Sequence, residues 1–235
     1  MASRLRPLTN NTPKCLLKIG ERSLLQRSMY ALIKNGISEF VIVTGYLHEM
    51  IENFVAEQYG KSIKVTFIHN EVYDSTNNIY SLWIARPEAE NEDILLLDSD
   101  LLYDPTIVTR VLANEAKNVL TLIRHELGEE EMKVVVDKDG SILEISKTCR
   151  VEDATGESLG IEKMGKEYTK ALYAELEPMM NEERLENKFY ELSFERLLPK
   201  GHTYKVLDVT DLFSCELDTV EDFENAREKI PAELF

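Results

Sequence analysis

Three groups of residues in this sequence have types and spacings that suit phosphate chemistry. Asp98-Ser99-Asp100 sets two carboxylates one residue apart, directly after the apolar run Ile94-Leu95-Leu96-Leu97. Carboxylate oxygens are hard ligands that hold Mg²⁺ beside substrate phosphates, although a turn followed by a helix cap is an equally ordinary use for Asp98. Near the start, Arg4, Arg6, Lys14 and Lys18 are interleaved with Pro7 and Pro13. The prolines restrict the backbone, so this stretch is a loop that presents Arg4 and Lys14 in a way suited to a triphosphate; a plain basic surface has the same composition. Close to the end, Glu216 and Asp218 alternate along an extended stretch, which lets both side chains point the same way. The four histidines, His48, His69, His125 and His202, are scattered and form no constellation.

The elements that must carry these groups follow from hydrophobic spacing. Ser23-Leu-Leu-Gln26 has the form of a capping box, and Leu24, Leu25, Met29, Leu32 and Ile33 repeat at helical spacing until Gly36. Phe40–Val43 reads as a strand, residues 47–55 as a helix ending at Gly60, and Ile63–Ile68 as a further strand. Asn77 is placed to cap a helix bearing Ile79, Leu82 and Trp83, and Ile94–Leu97 reads as a fully buried strand with Asp98 at its carboxyl end. Asp104-Pro105 starts another helix. This alternation predicts an α/β fold with a mostly parallel sheet covered on both faces, binding its ligand at the carboxyl ends of the strands. Beyond Val119–Ile123 the pattern changes: Met132–Val136 and Ile142–Ile145 flank Lys138-Asp-Gly140, which predicts a small antiparallel insertion. Helices follow near 165–180 and 187–198, then a strand at Tyr204–Leu207 and a closing helix capped by Thr219 and Asp222 that runs through Lys229.

Composition narrows the function. The 235 residues suffice for one large α/β domain, and one domain, 1–235, is the expectation. The net charge of −16 opposes binding to a phosphate backbone or an anionic membrane, so neither nucleic acid nor membrane is an expected partner. Residues 1–37 depart from this balance, with seven cations against the single acid Glu21, and they mark one place where an anionic ligand could sit. No apolar run approaches the roughly 18–20 residues of a membrane span, and the first residues lack the apolar core of a secretory signal; the expected location is cytoplasmic. Cys15, Cys149 and Cys215 are far apart and odd in number, and are read as reduced thiols.

Ser3-Arg4-Leu5-Arg6-Pro7-Leu8-Thr9 and Pro13-Lys14-Cys15-Leu16-Leu17 resemble the second half of the signature G-x-G-x-R-L-x-P-L-T followed by P-K-x-L-L, which marks bacterial nucleotidylyltransferases acting on sugar 1-phosphates and phosphocholine. The resemblance covers most of the chain. It implies a Rossmann-like mixed sheet of the nucleotide-diphospho-sugar transferase fold. The match begins inside the family's Gly-rich turn, so the sequence as it stands is expected to lack the first strand and the first half of that turn. By the same resemblance Arg4 and Lys14 contact the nucleotide phosphates and the charge developing at the α-phosphorus, Ser3 and Asp98 line the nucleotide site, and Asp100 is a metal ligand. Cys215-Glu216-Leu217-Asp218-Thr219 through Asp222 is similar to the family's E-I-D-T-x-E-D-L, which implies that Glu216 and Asp218 complete a Mg²⁺ site, with Asp222 left as the helix cap. Lys147 falls where the family places a lysine near the acceptor phosphate; an exposed strand-end lysine is the alternative.

Asn77-Asn78-Ile79-Tyr80-Ser81-Leu82 resembles the N-N-x-Y-S-L of phosphocholine cytidylyltransferases more than the corresponding segment of the sugar enzymes. This implies CTP as the nucleotide, with Asn77, Asn78 and Ser81 near the base. The expected reaction is transfer of a nucleoside monophosphate to a small phosphorylated alcohol such as phosphocholine, with Mg²⁺ as cofactor and pyrophosphate as product; a homodimer is compatible with it. A sugar 1-phosphate or inositol phosphate acceptor stays open. So do two other classes, a D-x-D glycosyltransferase and a non-catalytic nucleotide-binding protein.

Overall fold

The computed structural model describes residues 3–234. Its first elements are β1 (Lys18–Ile19), β2 (Arg22–Ser23), α1 (Leu24–Lys34), β3 (Glu39–Thr44), α2 (His48–Tyr59) and β4 (Lys64–His69). Then come α3 (Asn78–Ile84), α4 (Arg86–Ala89), β5 (Ile94–Leu97), β6 (Leu101–Tyr103), α5 (Thr106–Ala113) and β7 (Val119–Ile123). The chain ends with β8 (Lys133–Val136), β9 (Ile142–Ser146), β10 (Gly156–Met164), α6 (Lys166–Asn181), α7 (Glu191–Leu197), β11 (Lys205–Asp208), β12 (Ser214–Glu216) and α8 (Val220–Lys229). Two compact units share these elements: residues 1–74, 98–110 and 211–235 in one, and 75–97 with 111–210 in the other.

In the first unit β3 and β4 pair in parallel and in register from Glu39 with Lys64 to Thr44 with His69. Local chemistry accounts for its helices. The Ser23 hydroxyl accepts the Gln26 amide at 3.2 Å at the head of α1, and Gly60, at φ +54°, closes α2 where a side chain would strain the backbone. β12 pairs antiparallel with β6, Glu216 opposite Leu101, so the chain's end is carried to the turn that holds Asp100. Ile19, Leu24, Leu102, Leu217, Ala226 and Ile230 form the apolar cluster beneath this junction.

The second unit is built on a six-stranded sheet ordered β11-β7-β10-β8-β9, with β5 also paired to β10. β10 runs antiparallel to β5, β7 and β8, while β11 runs parallel to β7. The α/β class and the mixed sheet stand as expected, but the expected predominance of parallel pairing needs adjustment: β3 with β4 and β7 with β11 are the parallel pairs among the described strands. The hairpin β8–β9 forms as its Asp-Gly turn predicts, with Gly140 at φ +82°. It joins the main sheet through β10.

β10 is the strand that the hydrophobic pattern concealed. Its nine residues include Glu157, Glu162, Lys163 and two glycines, a composition poor for a strand, yet nearly all of them are buried because neighbours cover it on both sides. Gly160, at φ +80°, sits within a register shift between Ser158 and Glu162, a bulge that a β-carbon would strain. At Gly156 a β-carbon would stand 2.4 Å from the Ile123 carbonyl oxygen, so a side chain has no room there. β5, expected to be fully buried, is half-buried, because β10 is its one described neighbour. Tyr168, Tyr190, Phe194 and Tyr204 pack ring against ring at the centre of this unit, Tyr168 and Tyr204 with centroids 4.6 Å apart.

A charge cluster built on Lys14

The basic loop is held from beneath. Leu5, Thr9, Pro13 and Leu17 are buried at four-residue intervals, while Arg4 and Arg6 stay exposed. Two short 3₁₀ turns, Ser3–Leu5 and Lys14–Leu16, stiffen its ends, and the Leu16 amide donates to the Pro13 carbonyl at 2.9 Å. The Tyr46 hydroxyl closes the loop's middle by donating to the Asn10 carbonyl at 2.6 Å.

Lys14 is the hub of the site. Its Nζ donates to Asp100 Oδ2 at 2.9 Å and to Asp218 Oδ1 at 2.7 Å, and Arg4 Nη2 donates to Asp218 Oδ2 at 2.6 Å. Residues 14, 100 and 218, each remote from the others in the chain, thus share one ammonium group. The side chain of Lys14 is only 14% exposed, so its charge is answered at low screening. Burial pushes the Lys14 ammonium down, but Asp100 and Asp218 outweigh it and leave its pKa above the ordinary lysine value. Burial likewise pushes Asp218 up, and Lys14 and Arg4 reverse this, holding the carboxyl below its usual range. Beside Lys14 lies a cavity of about 270 Å³, lined among others by Arg6, Pro13, Thr44, Tyr46 and Ser99. The Thr44 hydroxyl there is buried without a hydrogen-bond partner.

The other expected site residues have different settings. Glu216 lies in β12 on the exposed side, and no group of three or more acidic, histidine or cysteine side chains gathers as a metal cage among the described residues. Asp98 is half-buried in the turn after β5. Ser3 begins the first 3₁₀ turn, and its side chain lies outside the described residues. Asn77 caps α3, its Oδ1 accepting the Asn78 amide at 2.8 Å, and Asn78 Oδ1 accepts the Tyr190 amide at 2.9 Å; both oxygens therefore serve local structure. Ser81 lies one turn into α3. Lys147 follows β9, with Nζ 4.6 Å from the Phe189 ring centre and 3.6 Å from the Glu130 carboxylate. The sequence reading missed the part played by Asp222: beyond capping α8 it accepts the backbone amide of Asp218 itself, at 3.2 Å. The spacing Thr219-x-x-Asp222 signalled the cap but not that bond.

Comparison with known proteins gives the family and the fold. The choline-phosphate cytidylyltransferase of Streptococcus pneumoniae is 34% identical over 101 residues, which span 43% of this chain and 42% of that protein. The CTP:phosphoglutamine cytidylyltransferase of Campylobacter jejuni is 24% identical over 97% of this chain and 96% of its own length. Among solved structures, the CTP:phosphocholine cytidylyltransferase from Streptococcus pneumoniae superposes with a TM-score of 0.79 at 20% identity, covering 98% of this chain and 95% of that one, a likeness of fold. The nucleotidyl transferase family profile matches residues 1–145, well over half of the chain and reaching from the Lys14 loop into the second unit. The chain belongs to the nucleotidyl transferase family.

Proposed function

We propose that this chain is a cytidylyltransferase that transfers CMP from CTP to a small phosphorylated acceptor of the phosphocholine class and releases pyrophosphate. The observation that carries the reading is the convergence of Arg4, Lys14, Asp100 and Asp218, two cations and two carboxylates drawn from three separate segments. Relatives named for choline phosphate and phosphoglutamine support the acceptor class, and both are named as cytidylyltransferases.

In this reading an acceptor phosphate oxygen attacks the α-phosphorus of CTP, a new P–O bond forms, and the bond to the bridging oxygen breaks with its electron pair leaving on pyrophosphate. A phosphomonoester is already largely dianionic at neutral pH, its second pKa being about 6, so the residues need not supply a base. Their task is to position and to neutralise charge. Lys14 and Arg4 offset the charge that develops around the α-phosphorus and on the leaving group. Asp100 and Asp218 fit a magnesium ion: both already hold one shared cation, and Mg²⁺ is commonly bound by one or two carboxylates together with substrate phosphates. Such an ion, when bound, supplies charge neutralisation on phosphate oxygens. Lys147 is assigned to the acceptor phosphate, Asn77, Asn78 and Ser81 to the base, Ser3 and Asp98 to the nucleotide, and Glu216 to the metal site, all on the family resemblance. One catalytic domain comprising both units, a cytoplasmic setting and a homodimer belong to the same proposal; no described helix is long and apolar enough to cross a membrane.

The test is pyrophosphate release with Mg²⁺ from each nucleoside triphosphate against phosphocholine, 2-aminoethylphosphonate, inositol 1-phosphate and glucose 1-phosphate. CTP with one of the first two acceptors is the expected pair, and Asp100→Asn is expected to abolish its turnover while the fold persists. Absence of pyrophosphate from every pair, or undiminished turnover in Asp100→Asn, would overturn the reading.

A further inference from the structure

We infer that Asp222 is a positioning residue for the reaction, acting through Asp218. This rests on the proposed function and deepens it. One oxygen of Asp222, Oδ2, accepts three hydrogen bonds: from the Thr219 amide at 2.7 Å, the Thr219 hydroxyl at 2.8 Å and the Asp218 amide at 3.2 Å. The Thr219 hydroxyl in turn accepts the Asp222 amide at 3.1 Å, which completes the cap of α8. A helix cap needs the bonds to Thr219 and no more. The bond to Asp218 reaches one residue further back, to the backbone of the carboxylate that Lys14 and Arg4 share.

The neighbouring residue is fixed as firmly. Leu217 is fully buried in the apolar cluster under β6 and β12, and its amide donates to the Asp100 carbonyl at 3.2 Å. The backbone of residues 217–219 is therefore clamped on one side to the Asp100 turn and on the other to the first turn of α8. Asp218 sits between the clamps, and its side chain spans to Lys14 Nζ at 2.7 Å and to Arg4 at 2.6 Å. Without the Asp222 bond the Asp218 amide loses its partner and the turn is free to rotate, which draws the carboxylate away from Lys14. Displacements of this size matter, because catalytic geometry is sensitive to shifts of about 1 Å.

A cap residue with no further role and a positioning residue differ in how they combine with Asp218. Chemical labelling of Lys14 with acetic anhydride reads the Asp218–Lys14 pair without any turnover, and pyrophosphate release reads the reaction. Asp222→Ala is expected to raise the labelling rate of Lys14 by about threefold to tenfold and to lower kcat by about tenfold or more, with the larger part of the loss in kcat and not in KM. In an Asp218→Asn background the same substitution is expected to add nothing to Lys14 labelling, since residues acting as one unit are non-additive. Asp222→Asn, whose carbonyl oxygen can accept the same three bonds, is expected to restore most of both readouts. The thermal midpoint of each variant is recorded so that labelling is compared below unfolding. An equal effect of Asp222→Ala with and without Asp218, or Lys14 labelling that does not change, would overturn the inference. A wild-type chain that releases no pyrophosphate would defeat the functional proposal and with it the role of Asp222 in the reaction, while the labelling arm would still decide whether Asp222 holds Asp218 against Lys14.

Discussion

Two sites of buried charge, one in each unit, are built in opposite ways. Around Lys14 each charged group is answered by another, two carboxylates for the ammonium and a guanidinium for the second carboxylate. In the second unit Glu191 is buried at the head of α7, and its Oε2 meets no hydrogen-bond donor. Burial, opposed by its own amide and by Lys147, pushes that carboxyl up to about 7. A matched cluster in a basic loop is poised for a charged ligand, whereas an unmatched buried acid lowers stability once it ionises. Substitutions at the Lys14 cluster should therefore change the chemistry, and those around Glu191 the stability.

The strongest blow to this contrast comes from Phe194→Ala. Phe194 is fully buried and its ring contacts Tyr168, Tyr190 and Tyr204. Its loss should cost about 3–5 kcal/mol in denaturant unfolding, and a cost below about 1 kcal/mol would mean that the aromatic core is not what holds this unit.

Next comes the pH dependence of Glu191. Because its folded pKa is raised, its stabilising state is the protonated one, fully present below the unfolded carboxyl value and lost as pH rises through about 7. At about 1.4 kcal/mol per unit, the wild type should lose about 3 kcal/mol across that window through this group. Glu191→Gln should flatten the curve and exceed the wild type at pH 8; parallel curves for the two proteins would show that Glu191 ionises in the fold at its ordinary pH.

Lys14→Ala sharpens the other side of the comparison. Pyrophosphate release should fall by about a hundredfold with a much smaller change in the unfolding midpoint. Unchanged turnover would remove Lys14 from the reaction. The smallest expected effect is that of Thr219→Ala, which deletes the cap of α8 and should lower stability by about 1 kcal/mol. A loss several times larger would show that the turn carrying Asp218 supports more of the first unit than its own helix.

Elements with a local signature were legible in the chain. α1, α3 and α8 begin at Ser23, Asn77 and Thr219, whose side-chain oxygens accept amides as their residue types predict, and the hairpin around Gly140 follows from its turn chemistry. β10 was not legible, because a central strand buried on both faces tolerates Glu162 and two glycines that no periodicity rule admits. The site divides in the same manner. Its residue types could be read from the Arg4-to-Lys14 loop, from Asp98-Ser99-Asp100 and from the run at Glu216, but the choice among the acids could not.

The order of residues by itself determined the helix caps, the turns, the basic loop and the family to which the chain belongs, since each depends on side chains within a few positions of one another. Only the tertiary structure decided that Asp100 and Asp218 share the Lys14 ammonium, and that Asp222 reaches back to the Asp218 amide. Those bonds join side chains separated by as many as 204 positions. Charge attraction at such separations acts only after the pairing of β6 with β12 and the burial of Leu217 have brought the backbones together.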